Sequence, residues 1–520
     1  MCGIYFYLTY NHPNNKLLLE NGNKCKHRGP DNTIDMIMED LVNHCNILFL
    51  FHRLSINGLN DESNQPFQFD IYPNITVMCN GEIYNYKELA EKYKINLLTE
   101  SDCEIIIHLY NILPIDEFIN QLDGVFSFVI YDGTKDIVLV GHDPFGIRAL
   151  YYSNKDNQIS FSSEMKCIDS EYENEVKFFP PGSYGTYDIK TKNLEINPYY
   201  HFDRWKLINN YDEWMVIDST ENITQNIKNK LENSVKKRLI SDRPIGCLLS
   251  GGLDSSIIAY LLKKNNSDLR TFSIGFKNSP DILSSQQVAE FLGTNHTSII
   301  ITEKDMLDAI EKTIYQIESY DITTIRASVP MYLLSKYILE NTDIKVIFSG
   351  EGSDEASGSY LYFHNAPTPN DFQNECIRLL KEVHMFDALR GDKTTSGNGL
   401  EIRVPFFDKE FMDYYMSIDP KKKMIQDGIE KYLLRKSFEF DLPKDIVWRR
   451  KDGFSDGISK LEKPWYEIIE EYSQSKHKLS ESEMYKMIYK KYYFSDNIPH
   501  YWMPKWSGEL TNPSGRLIID

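Results

Sequence analysis

The 520-residue sequence has few cysteines, and no two of them stand in a Cys-x-x-Cys spacing. The eight are Cys2, Cys25, Cys45, Cys79, Cys103, Cys167, Cys247 and Cys376, so a zinc ribbon or a thioredoxin-type dithiol is excluded as the organising chemistry. Such sparse use fits a reducing compartment better than a disulfide-built secreted fold. Long apolar runs are missing too. Ile47–Phe51 is among the longest, far short of the ~20 residues that span a membrane. The first thirty residues lack the charged-then-apolar pattern of a secretory signal, and a cytoplasmic protein is expected. Positive charge is in deficit: Lys+Arg is 57 against Asp+Glu 76, a net charge of −19. That balance removes any general attraction to nucleic acid or to an anionic membrane. A small basic pocket for an anionic ligand is still compatible with it. There is no internal repeat and no low-complexity segment.

The length exceeds what one hydrophobic core usually supports, so two domains are expected. Residues 2–190 read as β-rich, with short apolar or alternating runs at Leu48–Phe51, Thr76–Cys79, Val125–Tyr131, Ile137–Val140 and Ile159–Ser162. Helices are expected at Tyr86–Tyr93 and Asp102–Ile112, and Pro180-Pro181-Gly182 punctuates the end of the block. Residues 191–218 read as a linker, aromatic and charged without clear periodicity. A helix pattern over Thr220–Leu239 opens the second domain, 219–520. Strand-like runs at Gly246–Leu249, Thr271–Phe276 and Lys345–Phe348 then alternate with helical stretches. That alternation predicts a parallel α/β sheet, and the chain after about Asp371 reads as mostly helical.

Two groups of residues carry chemistry. In the first, Met1 precedes Cys2-Gly3-Ile4, and a cysteine is small enough to allow removal of the initiator methionine. The amine freed on Cys2 would have an ordinary pKa of about 7.7–8.0 and could act as base for its own thiol. Three further segments accompany it: Lys26-His27-Arg28-Gly29-Pro30-Asp31, Arg53-Leu54-Ser55-Ile56 and Asn80-Gly81-Glu82-Ile83-Tyr84-Asn85. Taken alone, Arg53 could be a surface ion-pair partner, and Asn80-Gly81 is a common hairpin turn. Together with Cys2, in this order, they resemble the class II glutamine amidotransferases, a branch of the N-terminal nucleophile hydrolases. The resemblance implies Cys2 as nucleophile, with the Asn80 side-chain amide and the Gly81 backbone N–H as oxyanion donors. It implies a glutamine site made by Arg53, Leu54, Ser55, Ile56, Asn80, Gly81, Glu82 and Asp102. There Arg53 would grip the α-carboxylate in a fork, and Asp102, with Glu82, would hold the α-ammonium.

The second group begins with Leu248-Leu249-Ser250-Gly251-Gly252-Leu253-Asp254-Ser255-Ser256, between a strand-like run and a helix. Glycines let backbone N–H groups approach an anion, and a helix N-terminus favours negative charge. The lysine of a Walker A loop is absent, which argues against ordinary γ-phosphoryl transfer. Asp254 suits Mg²⁺, which takes oxygen ligands and bridges phosphates. The loop resembles that of the N-type ATP pyrophosphatases, which cleave ATP between its α and β phosphates. A second cluster, Ser349-Gly350-Glu351-Gly352-Ser353-Asp354-Glu355, sets three carboxylates in five residues after an apolar strand. By itself it could be a solvated acidic turn. Further segments, Ile317–Ser328, Gly399–Phe406 and Trp448–Gly457, resemble motifs of the glutamine-hydrolysing asparagine synthetases.

That resemblance covers nearly the whole chain. It implies an αββα N-terminal nucleophile hydrolase sandwich followed by a Rossmann-like α/β ATP-pyrophosphatase domain. It implies a carbon–nitrogen ligase that uses ammonia from glutamine, adenylates aspartate to β-aspartyl-AMP, and releases AMP, pyrophosphate and glutamate. Catalytic roles fall to Glu351, at the intermediate, and to Lys451, against the departing pyrophosphate. Leu248, Ser250, Gly251, Gly252, Asp254, Ser255, Ile274, Ser349 and Gly350 would hold ATP, and Asp254 and Asp354 would hold Mg²⁺. The partners implied are glutamine, aspartate and ATP, with neither nucleic acid nor membrane; a homodimer is compatible with the sequence, which does not fix the oligomeric state. A closed apolar channel would carry ammonia between the sites. The sequence departs from the family pattern at Glu100 before Ser101-Asp102, at His142 and Arg148-Ala149, and at Ala356-Ser357-Gly358-Ser359. The last departure could loosen packing behind the catalytic loop.

Overall fold

A computed structural model describes residues 1–155, 157–168, 175–207, 215–449, 457–459, 463–494, 502 and 504–506. The N-terminal half is built on two sheets. One has the order β2-β3-β1-β8-β7-β9, and the other β11-β10-β6-β5-β4. The first comprises β1 (Gly3–Thr9), β2 (Asn32–Asp40), β3 (Cys45–Arg53), β7 (Tyr151–Lys155), β8 (Gln158–Ser162) and β9 (Lys177–Phe178). The second comprises β4 (Ile75–Ile83), β5 (Gly124–Asp132), β6 (Ile137–His142), β10 (Ser183–Asp188) and β11 (Asn193–Pro198). All their pairings are antiparallel.

The inward side chains Ile4, Phe6, Leu8, Phe49 and Phe51 of one sheet and Met78, Val129, Val138 and Val140 of the other form one apolar core between the sheets. Helices Tyr86–Tyr93 and Ile105–Ile112 cover the outer face of β4 and β5 through Val77, Phe126, Phe128, Ile106 and Leu109. The outer face of the first sheet offers Tyr5, Leu48, Leu50 and Tyr151 to a core shared with the second half. β1 and β3 are therefore buried on both faces and read as almost continuous apolar runs, whereas the edge strand β2 alternates. This is the expected αββα arrangement.

The second half carries a five-stranded parallel sheet of order β14-β13-β12-β15-β16. Its strands are β12 (Ile245–Leu248), β13 (Arg270–Gly275), β14 (Asn295–Ile300), β15 (Val346–Phe348) and β16 (Glu401–Arg403). Helix Thr220–Lys237 leads into it. The Ser219 side chain caps that helix, and Ile223, Ile227, Leu231 and Val235 form its buried stripe. Strand order reverses on the two sides of β12, and the crevice at such a point is where α/β sheets bind ligands.

The stretch expected as a linker, 191–218, is in part regular structure. β11 pairs with β10 as far as Pro198, so the N-terminal sheet runs past residue 190. Phe202 and Trp205 then bury into the core around Phe145 and Tyr200. Aromatic side chains of this size gain more from packing than from a free tether. Residues 208–214 lie outside the described residues. Among those described, no helix is long and apolar enough to cross a membrane.

Candidate functional site

Two clusters stand out, one in each half. In the first, the register Gly3↔His52 sets the start of β1 against the end of β3. It brings Cys2 beside Arg53 and Leu54, and the Cys2 thiol lies 3.7 Å from the Leu54 carbonyl. Burial pushes this thiol up, and the terminal ammonium and Arg53 offset part of the rise. The Met1 amine, one residue earlier, is lowered to about 6, chiefly by burial and against the pull of Glu401.

Asn80 and Gly81 lie within β4, paired with Ser127 and Phe126, so the hairpin-turn reading does not hold. Asn80 is fully buried. Its Nδ2 reaches Ser163 Oγ at 3.4 Å, and its Oδ1 has no partner among the described residues. At Gly81 a Cβ would meet the Val125 carbonyl at 2.3 Å, so only glycine lets the two strands pair this closely.

Arg53 Nη1 donates to Asn60 O and Asn64 Oδ1, both at 2.8 Å. Ser55 N–H donates to Asp31 Oδ2 at 2.8 Å, and Leu54 and Ile56 are buried beside them. The Asp102 carboxylate accepts from Ile83 N–H at 2.6 Å and from Asn57 Nδ2 at 3.4 Å. Burial nevertheless raises it to about 6. Glu82 also bonds Asn57 and lies 3.4 Å from Arg403, and burial next to Asp102 and Glu401 raises it well above the usual carboxylate range. The cluster thus combines a thiol, amide donors and two buried carboxyls, of which Glu82 has Arg403 at 3.4 Å and Asp102 has hydrogen-bond donors but no ion pair among the described residues. An incoming ammonium group would relieve both carboxyls.

The second cluster lies at the carboxyl ends of β12, β13 and β15, around a cavity of ≈ 610 Å³. Leu248, Ser250, Gly252, Asp254, Ser255, Ile274, Ser349, Gly350, Glu351 and Asp354 all line it. Gly251 sits behind the loop. Its φ of +76° and the 2.4 Å that a Cβ would leave to the Ser284 backbone allow no side chain there. Ser255 Oγ accepts from Ser250 N–H at 3.2 Å and contacts Ser250 Oγ at 3.0 Å, which draws the loop tight over the start of helix Leu253–Lys263. Gly350 lies against the Asp254–Ser255 backbone, where a Cβ would come within 2.8 Å. The two loops are in this way locked together, and Ser353 Oγ donates to Asp254 Oδ1 at 2.8 Å.

Asp254 and Asp354 converge, but on a side chain the sequence reading did not single out. Lys431 Nζ lies 2.6 Å from Asp254 Oδ2 and 2.5 Å from Asp354 Oδ1. The ammonium stands where a cation shared by both carboxylates would sit. Its residue is buried and has a left-handed backbone, φ +58°. A lone lysine carries no signal in sequence, and Lys431 became visible only when the fold brought it to the two loops.

Glu351 Oε1 accepts from Arg390 at 3.1 Å, and Glu351 Oε2 is buried without a partner among the described residues. Burial lifts this carboxyl to about 7, against the pull of Arg390. Glu355 is lifted to about 8 by burial and by Asp387 and Asp354, and it accepts from Tyr360 OH at 2.6 Å. The run Ala356–Ser359 does not loosen the loop. Ala356 is buried, Gly358 turns the chain at φ +58° against Phe372, and Ser359 Oγ donates to Asp354. Lys451, expected to face pyrophosphate, lies outside the described residues. Its neighbour Arg449 lines the cavity and bonds Ser284.

The boundary between the halves is not purely apolar. Arg148, at one departure, donates to Ile402 O at 3.3 Å from both of its terminal nitrogens and lies 3.8 Å from Glu401. His142, at another, lies 2.8 Å from Arg148 O and 3.0 Å from Phe179 O inside the N-terminal half.

The comparison with known proteins fits this division. A glutamine amidotransferase domain model matches residues 1–199, and an asparagine synthase model matches 226–374 and 365–493. The chain is 39% identical to the glutamine-hydrolysing asparagine synthetase of Mus musculus over 539 aligned positions, spanning 95% of this chain and 94% of that one.

The chain belongs to the asparagine synthase family.

The human and chicken asparagine synthetases are 38% and 39% identical over the same shares of each chain. Among solved structures, the allosteric regulatory enzyme of purine biosynthesis aligns at 12% identity and a TM-score of 0.33, covering 58% of this chain and 90% of that one. That likeness is too distant to carry an argument. Within the family frame the glutamine-type motifs fall in the half matched by the amidotransferase model. The pyrophosphate-type loops fall in the half matched by the synthase model.

Proposed function

We propose that this protein makes asparagine from aspartate, with ATP as energy source and glutamine as nitrogen donor. The observation that carries the reading is that one chain holds both clusters, each at the position its fold favours. We place the division between the two functional halves just after Pro198, where the N-terminal sheet ends.

In the first half Cys2 attacks the amide carbon of glutamine. The Asn80 amide and Gly81 N–H face the oxygen that gains charge, where fixed donors in a dry site lower the barrier most. Arg53 and Asp102 hold the two α-groups of glutamine, and Glu82 assists. The C–N bond breaks as the proton given up by the thiol passes to the amide nitrogen, which leaves as ammonia, and water cleaves the thioester to glutamate and restores the thiol. In the second half a carboxylate oxygen of the aspartate side chain attacks the α-phosphate of ATP, and pyrophosphate departs. Ammonia then attacks the acyl carbon of β-aspartyl-AMP and AMP leaves. Adenylation is needed because a free carboxylate has no adequate leaving group. The Ser250–Ser255 loop offers backbone N–H groups and hydroxyls to the phosphates. Ile274 and Leu248 supply apolar walls for the nucleotide. Glu351, already held by Arg390, faces the reacting groups, and Lys451 is assigned to the charge of the departing pyrophosphate.

The residues fit a bound Mg²⁺. Asp254 and Asp354 are two hard oxygen donors already gathered on one cation, Lys431. Among the described residues no group of three or more protein ligands is present, and Mg²⁺ typically uses one or two carboxylates plus substrate phosphates. Bound there, it would neutralise phosphate charge as pyrophosphate leaves. Lys431 keeps the two carboxylates from repelling each other when the nucleotide is absent. Lys431→Met is therefore expected to bind Mn²⁺ more tightly without ATP, by about tenfold, as counted by electron paramagnetic resonance. Unchanged Mn²⁺ affinity would remove Lys431 from this role.

Product analysis tests the whole reading. With ATP, Mg²⁺, aspartate and amide-¹⁵N glutamine, the expected products are labelled asparagine, AMP, pyrophosphate and glutamate. Glutamate and ammonia without AMP would overturn the assignment of the second half. Ammonia lost wholly to solvent would overturn a closed passage between the sites.

A further inference from the structure

Asp392 of the second half reaches the main chain of Cys2 through Arg28. Arg28, in the Lys26–Asp31 segment, is fully buried, and its Nε donates to the main-chain carbonyl of Cys2 at 2.9 Å. The guanidinium that fixes this carbonyl is itself oriented from across the boundary. Its Nη1 and Nη2 donate to Asp392 Oδ2 at 2.8 Å and Oδ1 at 3.1 Å, a two-pronged contact spanning 364 positions of sequence. Such a fork sets the plane of a guanidinium as well as its charge. The other contacts do less. Glu164 and Ser396 each accept only from Nη1, at 3.0 Å, and Glu164 is also tied to Lys166 and His27.

Asp392 lies on helix Asp387–Ser396, which also abuts the second site. Arg390, two residues earlier, holds Glu351 at 3.1 Å and Asp387 at 2.6 Å. At Gly391, between them, a Cβ would stand 2.5 Å from Glu351 Oε2. The helix backbone is pressed against the synthetase carboxylate on one side, while Asp392 grips Arg28 on the other.

We propose that Asp392 is a positioning residue for glutamine hydrolysis, supplied by the synthetase half and acting through Arg28 on the main chain of Cys2. The inference rests on the functional reading above. It makes amidohydrolase geometry depend on how the second half is seated, with no contact between Asp392 and glutamine.

The test uses the full-length enzyme and Asp392→Asn, which keeps the side-chain volume and one acceptor but removes the charge and the fork. Glutamate release is measured with glutamine alone, and asparagine formation is measured separately with ammonia, ATP and aspartate. The expected result is a kcat for glutamine hydrolysis lowered at least about tenfold, since small misplacements at a reacting centre cost this much or more. The KM for glutamine stays within about threefold because Arg53 and Asp102 are untouched. Ammonia-dependent synthesis stays within about twofold and reports that the variant is folded. Arg28→Lys keeps the charge and loses the fork, and it is expected to give the same split. Wild-type glutamine hydrolysis in Asp392→Asn would overturn the proposal, and so would both activities falling together, which marks a merely structural contact. A wild-type enzyme that releases no glutamate from glutamine would instead overturn the functional reading on which the proposal stands.

Discussion

Cys2→Ala is expected to lower glutamine-dependent asparagine formation by at least about 1,000-fold while leaving ammonia-dependent formation within about twofold. Removing the proposed nucleophile takes away the covalent route, because the other thiol beside the cluster, Cys103, is buried against the Gly81 carbonyl at 3.4 Å and is pushed well above the usual thiol range by its contact with Cys79 and by burial. The proposed donors at Asn80 and Gly81 and the proposed glutamine partners Arg53 and Asp102 remain, so glutamine is expected to bind without being cleaved. Structural cost is small. The thiol is a short side chain whose one hydrogen-bond contact among the described residues is the 3.7 Å approach to the Leu54 carbonyl. Ammonia supplied in solution enters at the second site and has no need of Cys2. Assaying both nitrogen sources on the same preparation decides the matter. A variant that keeps most of its glutamine-dependent activity would show that Cys2 is not the nucleophile.

Glu351→Gln is expected to act in two opposite directions. Aspartate-dependent exchange between ATP and pyrophosphate should fall by about 100-fold or more, the scale of losing a charged group that works at the reacting centre. Glutamine hydrolysis should be unchanged. Stability should move the other way. Burial raises the Glu351 carboxyl from its usual 4.5 to about 7, so the folded protein favours the protonated form. The stability this confers is complete below about 4.5 and is lost as the pH rises through about 7. Above that the ionised carboxylate costs at most about 3 kcal/mol, a figure that already includes the favourable contact with Arg390. Glutamine is neutral at every pH. The variant should therefore match the wild type near pH 5 and exceed it by about 1–2 kcal/mol at pH 8 in urea titrations. The wild-type exchange rate should rise through about pH 7 as Glu351 ionises, and the variant should lack that rise. A variant less stable than the wild type at pH 8 would show that the carboxylate is well solvated or well paired, against the burial seen here. A carboxylate kept ionised at a cost is a common way for stability to be given up at a reacting site.

The two expectations draw on different parts of the molecule, and they were legible to different degrees. Cys2, Asn80, Gly81, Asp254 and Glu351 stand in short segments whose resemblance to family motifs implies their roles. The strand–loop–helix setting of Ser250–Ser255 was readable because the apolar run before it and the helix after it are local patterns. The strands β1 and β14 escaped notice. β1 is buried on both faces and shows no alternation, and β14 is only half-buried. Aromatic residues without periodicity, such as Phe202 and Trp205, give no local sign of what they pack against.

By itself the sequence determined the two-part architecture and, through its resemblance to a known family, the chemistry of each half, because both are carried by contiguous segments where neighbours along the chain are neighbours in space. Only the tertiary structure decided how those segments are held. It placed Lys431 between Asp254 and Asp354, Arg390 on Glu351, Arg403 beside Glu82, and Asp392 on Arg28. Each of these is a single charged side chain far in sequence from its partner. A lone charge reads as a solvated one until folding removes the water around it, and once buried it must find an opposite charge or a hydrogen bond. That requirement, which acts only in the assembled core, joins the two halves.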